Sequence, residues 1–76
     1  MSERKKSKEE LYLKKIYELA KEDEIDRYKV GRALSEHTRS VNNIVQLLAK
    51  NGFIKKNGDT LIRLTPSGIR YLEMSL

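Results

Sequence analysis

The fold is decided by the stretch KVGRALSEHTRSVNNIVQLLAKNG, residues 29–52. A short helix is predicted over residues 28–35, because its apolar side chains recur at helical spacing. Gly31 within it costs about 1 kcal/mol relative to alanine, which predicts close packing by a neighbouring element. The polar run at 35–37 is too short for a strand and predicts a tight turn.

A second helix is predicted to begin at Thr38, which can cap it, and to end at about residue 51. Gly52 then supplies the left-handed conformation in which helices commonly end. Two helices joined by a turn of three to four residues form a helix-turn-helix.

Before this pair, Ser7 and Glu10 have the spacing of a capping box, and the apolar pattern predicts a helix at about 8–22. A short strand near residues 25–27 is expected to pair with a later hairpin. Residues 1–7 are polar and basic, and we expect them to be a disordered arm.

After Gly52, Asn57-Gly58 predicts a two-residue type I′ turn between two strands, because both residues tolerate positive φ. The returning strand is predicted at 60–65. Thr65-Pro66 then begins the last helix, with a cap followed by proline at the first helical position.

The predicted fold class is therefore α+β and mostly helical. The order of elements is that of a winged helix-turn-helix, with a three-helix core, a β-hairpin wing and a C-terminal helix. The chain has 76 residues, a length at which only about 60% of the unfolded surface is buried. We expect residues 8–76 to be one winged helix-turn-helix DNA-binding domain.

The charge distribution predicts a polyanion as the partner. The chain carries sixteen Lys and Arg against eleven Asp and Glu, a net charge of +5. Residues 27–72 hold nine of these cations and two anions, a net charge of +7. A basic block in a small domain is typical of nucleic-acid binding, and double-stranded DNA is the expected partner.

Other classes of function are disfavoured by composition. Cysteine is absent and His37 is the single histidine, so we expect no metal, no cofactor and no catalytic residue. We therefore expect no enzyme activity and no small-molecule substrate. No apolar run follows the basic start, so we expect no secretory signal, and no stretch approaches the ~20 apolar residues of a membrane span. The expected location is the cytoplasm, in association with the nucleoid, without a membrane partner.

The helix from Thr38 is expected to read DNA. Its outward side carries Arg, Asn and Gln, the types that pair with guanine or adenine edges in the major groove. A merely solvated face usually carries Glu and Lys, which form helices better than Asn. The candidate DNA-binding residues of this helix are Thr38, Arg39, Ser40, Asn42, Asn43, Gln46 and Lys50.

The hairpin is cationic and is expected to contact phosphate or a minor groove. Protection of an edge strand by lysines is the open alternative. The candidate wing contacts are Lys55, Lys56, Asn57 and Arg63. Further backbone contacts are expected, with plain solubilising charge as the alternative, from Arg27, Lys29, Arg32 and His37.

The remaining apolar and aromatic residues are assigned to the core edge or to self-association. The tyrosines expected at the core edge, with hydroxyls in water, are Tyr12, Tyr17, Tyr28 and Tyr71. Spare apolar groups at Tyr71, Met74 and Leu76 suggest that the first and last helices pair two copies. We expect a homodimer, at least on DNA.

The chain resembles the winged-helix DNA-binding domains of bacterial and archaeal transcription regulators. It is most similar to the N-terminal domain of the diphtheria-toxin-repressor and manganese-regulator family, and more loosely to multiple-antibiotic-resistance-type regulators. The segments that carry the resemblance are Tyr12–Leu19, Lys29–Leu34, Ser40-Val41, Asn51–Ile54 and Leu64–Gly68.

The resemblance implies a reading helix that begins near residues 38–40, with base-facing positions at Asn42, Asn43 and Gln46. The family's second domain, with its metal-binding and dimerisation parts, has no counterpart in these 76 residues. Metal sensing is therefore not carried over, and a dimer is expected to form through this domain itself. In composition the chain also resembles small regulators of archaea, plasmids and viruses.

The expected function is a sequence-specific double-stranded DNA-binding transcription regulator, a repressor acting at a promoter, for which its own promoter is a candidate. Two alternatives stay open. One is a non-specific architectural DNA-binding protein, and the other is a winged-helix protein-interaction module.

Overall fold

The structure is a computed structural model, and it describes residues 7–74. Residues 1–6 of the predicted arm, and Leu76 of the predicted dimer surface, lie outside the described residues. The described part is an α+β arrangement, mostly helical, with four helices and a three-stranded antiparallel sheet. Its elements are α1 (Lys8–Ala20), β1 (Ile25–Asp26), α2 (Arg27–Ala33), α3 (Thr38–Lys50), β2 (Ile54–Asn57), β3 (Leu61–Leu64) and α4 (Pro66–Met74).

The start and end of α1 follow from local signals. The Ser7 hydroxyl accepts from the Glu10 amide at 3.1 Å, and the Glu10 carboxylate accepts from the Ser7 amide at 3.3 Å, so the predicted capping box is confirmed. Lys21 has a positive φ of 55° and departs from the helical conformation. This ends α1 at Ala20, two residues before the predicted end.

The connection between α2 and α3 is as short as predicted. Ser35 turns the chain with φ of 58°, and the Glu36 amide donates to the Gly31 carbonyl at 2.9 Å. A Cβ on Gly31 would stand 2.3 Å from Val41 Cγ2, which confirms the predicted close packing at this glycine. The absent side chain lets α3 approach the backbone of α2.

The three strands form an antiparallel sheet in the order β1-β3-β2. The predicted pairing of the first short strand is confirmed, since Ile25 lies opposite Ile62 of β3. The predicted type I′ turn is wrong. Asn57 pairs with Leu61, so residues 58–60 connect the strands, and among the residues of this turn only Gly58 has a positive φ, 71°.

The core lies between the three N-terminal helices and one face of the sheet. Tyr12 at its centre is fully buried, and its hydroxyl donates to the Arg27 carbonyl at 2.7 Å rather than to water. The expectation of a core-edge tyrosine is therefore wrong at this position. The buried apolar set is Tyr12, Leu13, Ile16, Ile25, Val30, Val41, Ile44, Val45, Leu48, Ile54, Ile62 and Leu64.

The last helix is tied to the end of α3 and the start of β2. The Thr65 hydroxyl accepts from the Gly68 amide at 3.1 Å and donates to the Gly52 carbonyl at 2.6 Å, so the predicted cap is confirmed. A Cβ on Gly68 would stand 2.2 Å from the Phe53 carbonyl oxygen. The backbones of α4 and residue 53 thus touch directly.

Candidate nucleic-acid interface

Helix α3 is strongly amphipathic and presents a set of polar side chains to solvent. Its apolar residues Val41, Ile44, Val45 and Leu48 are buried, which fixes the rotation of the helix. At about 100° per residue, the opposite side is centred on residues spaced by four, three and four positions. These residues, all exposed and hereafter called the polar face, are Arg39, Asn43, Gln46 and Lys50.

Asn42 does not belong to the polar face. It is half-buried on the flank of α3, and its Oδ1 accepts from Arg27 Nη1 at 3.2 Å. Its Nδ2 also lies 3.2 Å from the Tyr28 hydroxyl. The sequence placed Asn42 outward with Asn43, and the structure corrects this because the amide is engaged within the protein.

Arg27 also differs from the position predicted for it. It was expected on the surface as a contact to the DNA backbone, but only 8% of it is exposed. Its Nε donates to the Thr60 carbonyl at 3.2 Å, and its Nη1 donates to Asn42. A buried guanidinium is tolerable because these oxygens replace water as its hydrogen-bond partners. The Tyr12 phenol, which donates to the Arg27 carbonyl, does not readily lose its proton, because burial raises the pKa of Tyr12 although the Arg27 charge opposes that rise.

Arg27 therefore connects the hairpin to α3. Thr60 directly precedes β3, and its carbonyl also accepts from the Arg27 amide at 2.9 Å. Asn42 lies on α3 between the buried side and the polar face. The guanidinium thus holds the loop end of the hairpin beside the flank of the helix that carries the polar face.

At its N terminus α3 begins with His37 as the cap residue and Thr38 as the first helical residue. The predicted capping by Thr38 is wrong, and no side chain among residues 7–74 caps this terminus. His37 and Thr38 are exposed and Ser40 is half-buried. Free amides and hydroxyls at a helix N terminus are suited to an anion such as phosphate.

The other expected cations on α2 lie on the surface. Lys29 and Arg32 are both exposed, as the sequence predicted. Glu36, one of the two anions of the basic block, lies 3.5 Å from Lys8 Nζ on α1. That ion pair holds the carboxylate of Glu36 to α1.

Two of the three hairpin cations lie on the sheet face turned away from the core, whereas the exposed Lys56 pairs with the buried Ile62. Lys55 and Arg63 lie directly opposite each other across β2 and β3, and both are exposed. Like charges in this position destabilise a sheet. Their pairing therefore does not contribute to the stability of the hairpin.

A cleft at the hairpin adds a residue that the sequence did not single out. It has a volume of about 280 Å³, and Asn57 Nδ2 within it donates to the Glu24 carboxylate. Residue 24 lies 33 positions before residue 57, so only the fold brings them together. The lining of this hairpin cleft is Glu24, Lys55, Lys56, Asn57 and Arg63.

Several large apolar side chains remain exposed. Leu47, 42% exposed, borders the polar face beside Asn43. On the helices predicted to pair two copies, Leu11 and Leu19 of α1 are 41% and 46% exposed, and Met74 of α4 is 78% exposed.

Two further properties, metal binding and membrane spanning, can be assessed for the described residues. Within residues 7–74, no group of His, Cys, Asp and Glu is placed to hold a metal ion. In the same part of the chain, no helix has the length and apolar character needed to cross a membrane. Comparison with protein-family models, curated proteins and solved structures gave no match to this chain.

Proposed function

We propose that the chain is a sequence-specific double-stranded DNA-binding transcription regulator that represses by occupying a promoter, its own being the first candidate. The observation that carries the proposal is the polar face of α3. Its four side chains are exposed, uncharged or cationic, and of the types that pair with base edges and phosphate.

The dimensions of α3 suit this role. From Arg39 to Lys50 the polar face extends over about 16 Å, at roughly 1.5 Å per residue. A major groove about 12 Å wide admits such a helix. Arg39 and Asn43, nearer the N terminus, would meet base edges, with Gln46 beside them. Lys50 at the far end would meet phosphate.

The surrounding elements favour the winged helix-turn-helix class. In that assignment α2 supports α3, and the hairpin of β2 and β3 is the wing. The close packing of α2 on α3 at Gly31 and the Arg27 bridge to Thr60 give the helix and the hairpin a fixed relation. A fixed relation matters because base and phosphate contacts must form together.

Five exposed cations supply the electrostatic part of binding. Two lie on the polar face and three line the hairpin cleft: Arg39, Lys50, Lys55, Lys56 and Arg63. If each meets one phosphate, log affinity falls with log salt concentration at a slope of about −4 to −5 per copy.

We further propose that two copies bind a partly palindromic or repeated site. The exposed Leu11 and Leu19 of α1 and Met74 of α4 support a contact between copies through these helices. Repression would then be steric, by two copies that cover one promoter.

The proposal is tested by footprinting on the DNA that flanks the gene, followed by competition between the protected fragment and random duplex. We expect the protected fragment to compete at least a hundredfold better than random duplex, since specific sites exceed non-specific ones by about 10³ or more. Equal competition favours the architectural alternative. A salt slope near zero would remove the electrostatic basis of the proposal.

The role of the polar face is tested with Asn43→Ala, for which Asn51→Ala is the matched control. Asn51 is also exposed, but it is the C-cap residue of α3. Loss of a bidentate base contact costs about 1–3 kcal/mol and relaxes the preference at one base pair. If Asn43→Ala and Asn51→Ala bind the protected fragment equally well, the alternative of a protein-interaction module is favoured.

A further inference from the structure

The hairpin cleft holds a carboxylate in the midst of the cations expected to meet DNA. Residue 24 directly precedes β1, whose Ile25 pairs with Ile62 of β3. Continued by one residue, this register sets Glu24 across from Arg63, which is itself paired with Lys55. A row of one anion and two cations thus runs across the outer face of the sheet.

The carboxylate is held in the cleft by a specific contact. Asn57 Nδ2 donates to Glu24 Oε2, so one of the two N–H donors of this side-chain amide is already occupied. Asp26, on the same acidic segment, is committed elsewhere, since its Oδ1 accepts from the Tyr28 amide at 2.8 Å. Of the two carboxylates on this segment, Glu24 is therefore the one that lines the hairpin cleft with the cations.

We propose that Glu24 is an internal competitor for DNA phosphate at the hairpin cleft. A carboxylate and a phosphate are both anionic hydrogen-bond acceptors. Both are attracted to the Asn57 amide and to the positive charges of Lys55 and Arg63. The inference rests on the proposed function. Its consequence is that backbone binding by the hairpin is weaker than its cations alone imply.

The competition has no sequence preference. Phosphate contacts carry no sequence information, so relief of the competition strengthens binding to every duplex by the same factor. An exposed charge pair changes binding by about two- to fivefold. One further neutralised phosphate makes the salt slope more negative by about 0.9.

The test is Glu24→Gln, which keeps the shape of the side chain and removes its charge. The matched control is Glu22→Gln, which makes the same change in net charge at an exposed residue outside the cleft. Fluorescence anisotropy measures the affinity of each variant for random-sequence duplex and for the footprinted fragment, over a range of salt concentrations.

We expect Glu24→Gln to tighten binding to both duplexes by the same two- to fivefold factor, and beyond the effect of Glu22→Gln, in line with an exposed charge pair. Equal effects of the two substitutions would overturn the inference, as would a gain confined to the footprinted fragment. Failure of the wild-type chain to bind either duplex refutes the proposed function itself. Binding by the wild-type chain without a difference between the variants refutes only the role of Glu24.

A second measurement isolates the hydrogen bond. In an Asn57→Ala background the carboxylate loses its donor and is no longer held in the cleft. The effect of Glu24→Gln should then shrink to that of Glu22→Gln. An undiminished effect would show that the hydrogen bond does not hold the competitor in place, and this too would overturn the inference.

Discussion

Removal of the two partners of the Arg27–Asn42 contact is expected to change stability unequally, and loss of Asn42 should cost more than loss of the Arg27 charge. Arg27→Met removes a buried charge and leaves its two acceptors with other partners. The Thr60 carbonyl keeps the Arg27 amide as a donor at 2.9 Å, and Asn42 Oδ1 keeps the Tyr28 hydroxyl as a donor at 3.3 Å. Replacement of a buried ionic group by an apolar one of similar volume is often neutral or stabilising. We therefore expect a change in the free energy of unfolding of less than about 1 kcal/mol.

Asn42→Ala is expected to cost more, although it removes a smaller and neutral side chain. It leaves the Arg27 guanidinium in place, 8% exposed, with Nη1 deprived of its acceptor. An unsatisfied buried donor costs about 1–3 kcal/mol, and more for a charged group. We expect a loss of about 2 kcal/mol, with a fall in Tm of roughly 8–16 °C for a domain of this size.

Urea unfolding followed by far-UV circular dichroism measures both free energies, and the double substitution closes the cycle. We expect the doubly substituted chain to be more stable than Asn42→Ala alone, because the charge that lacked a partner is gone. A larger loss for Arg27→Met than for Asn42→Ala would refute this account of the contact. It would mean that the hydrogen bonds of the guanidinium stabilise the fold by more than the burial of its charge costs.

Two further predictions concern α4 and Tyr12. Gly68→Ala places a Cβ 2.2 Å from the Phe53 carbonyl oxygen. We therefore expect thermal unfolding to show a loss of about 2–3 kcal/mol in the free energy of unfolding, although alanine has the better helix propensity. Ser67→Ala, at an exposed neighbouring position, should not destabilise the fold, and equal stability of the two variants would contradict the close approach of Gly68 to Phe53. Burial raises the pKa of Tyr12, since the neutral phenol is favoured when folded. The resulting stability is present below the ordinary pKa of about 10 and is lost as pH rises above it, by about 1.4 kcal/mol per pH unit. Tyr12→Phe should flatten that alkaline decline in urea unfolding, whereas Tyr17→Phe, at an exposed residue, should leave it unchanged.

The elements were predictable where short-range signals decide them. The capping box of Ser7 and Glu10, the cap at Thr65 and the left-handed Gly52 each depend on residues within a few positions. The buried side of α3 followed from periodicity alone. The hairpin turn was mispredicted because the pairing of Asn57 with Leu61 sets the loop at three residues, whereas the Asn-Gly pair favours two.

The site was less predictable because its decisive contacts join distant residues. Arg27 and Asn42 are 15 positions apart, and Glu24 and Asn57 are 33 apart. A helical wheel sets Asn42 near the edge of the outward side, and composition gives Arg27 the character of a surface cation. Neither the helical wheel nor the composition shows that Arg27 and Asn42 are neighbours in the fold. Their hydrogen bond holds both side chains within the protein.

The net charge of +7 over residues 27–72 thus overstates the field that DNA would meet. Of the nine cations in this block, Arg27 is buried, Lys29 and Arg32 lie on α2, and Arg70 lies on α4. Only five cations lie on the polar face or in the hairpin cleft, and Glu24 opposes the three in the cleft. A salt slope of about −4 to −5 per copy corresponds to these five, whereas about −7 would require the three exposed cations on α2 and α4 to meet phosphate too. The slope therefore measures which surface binds, since a value near −7 would place α2 and α4 against the DNA as well.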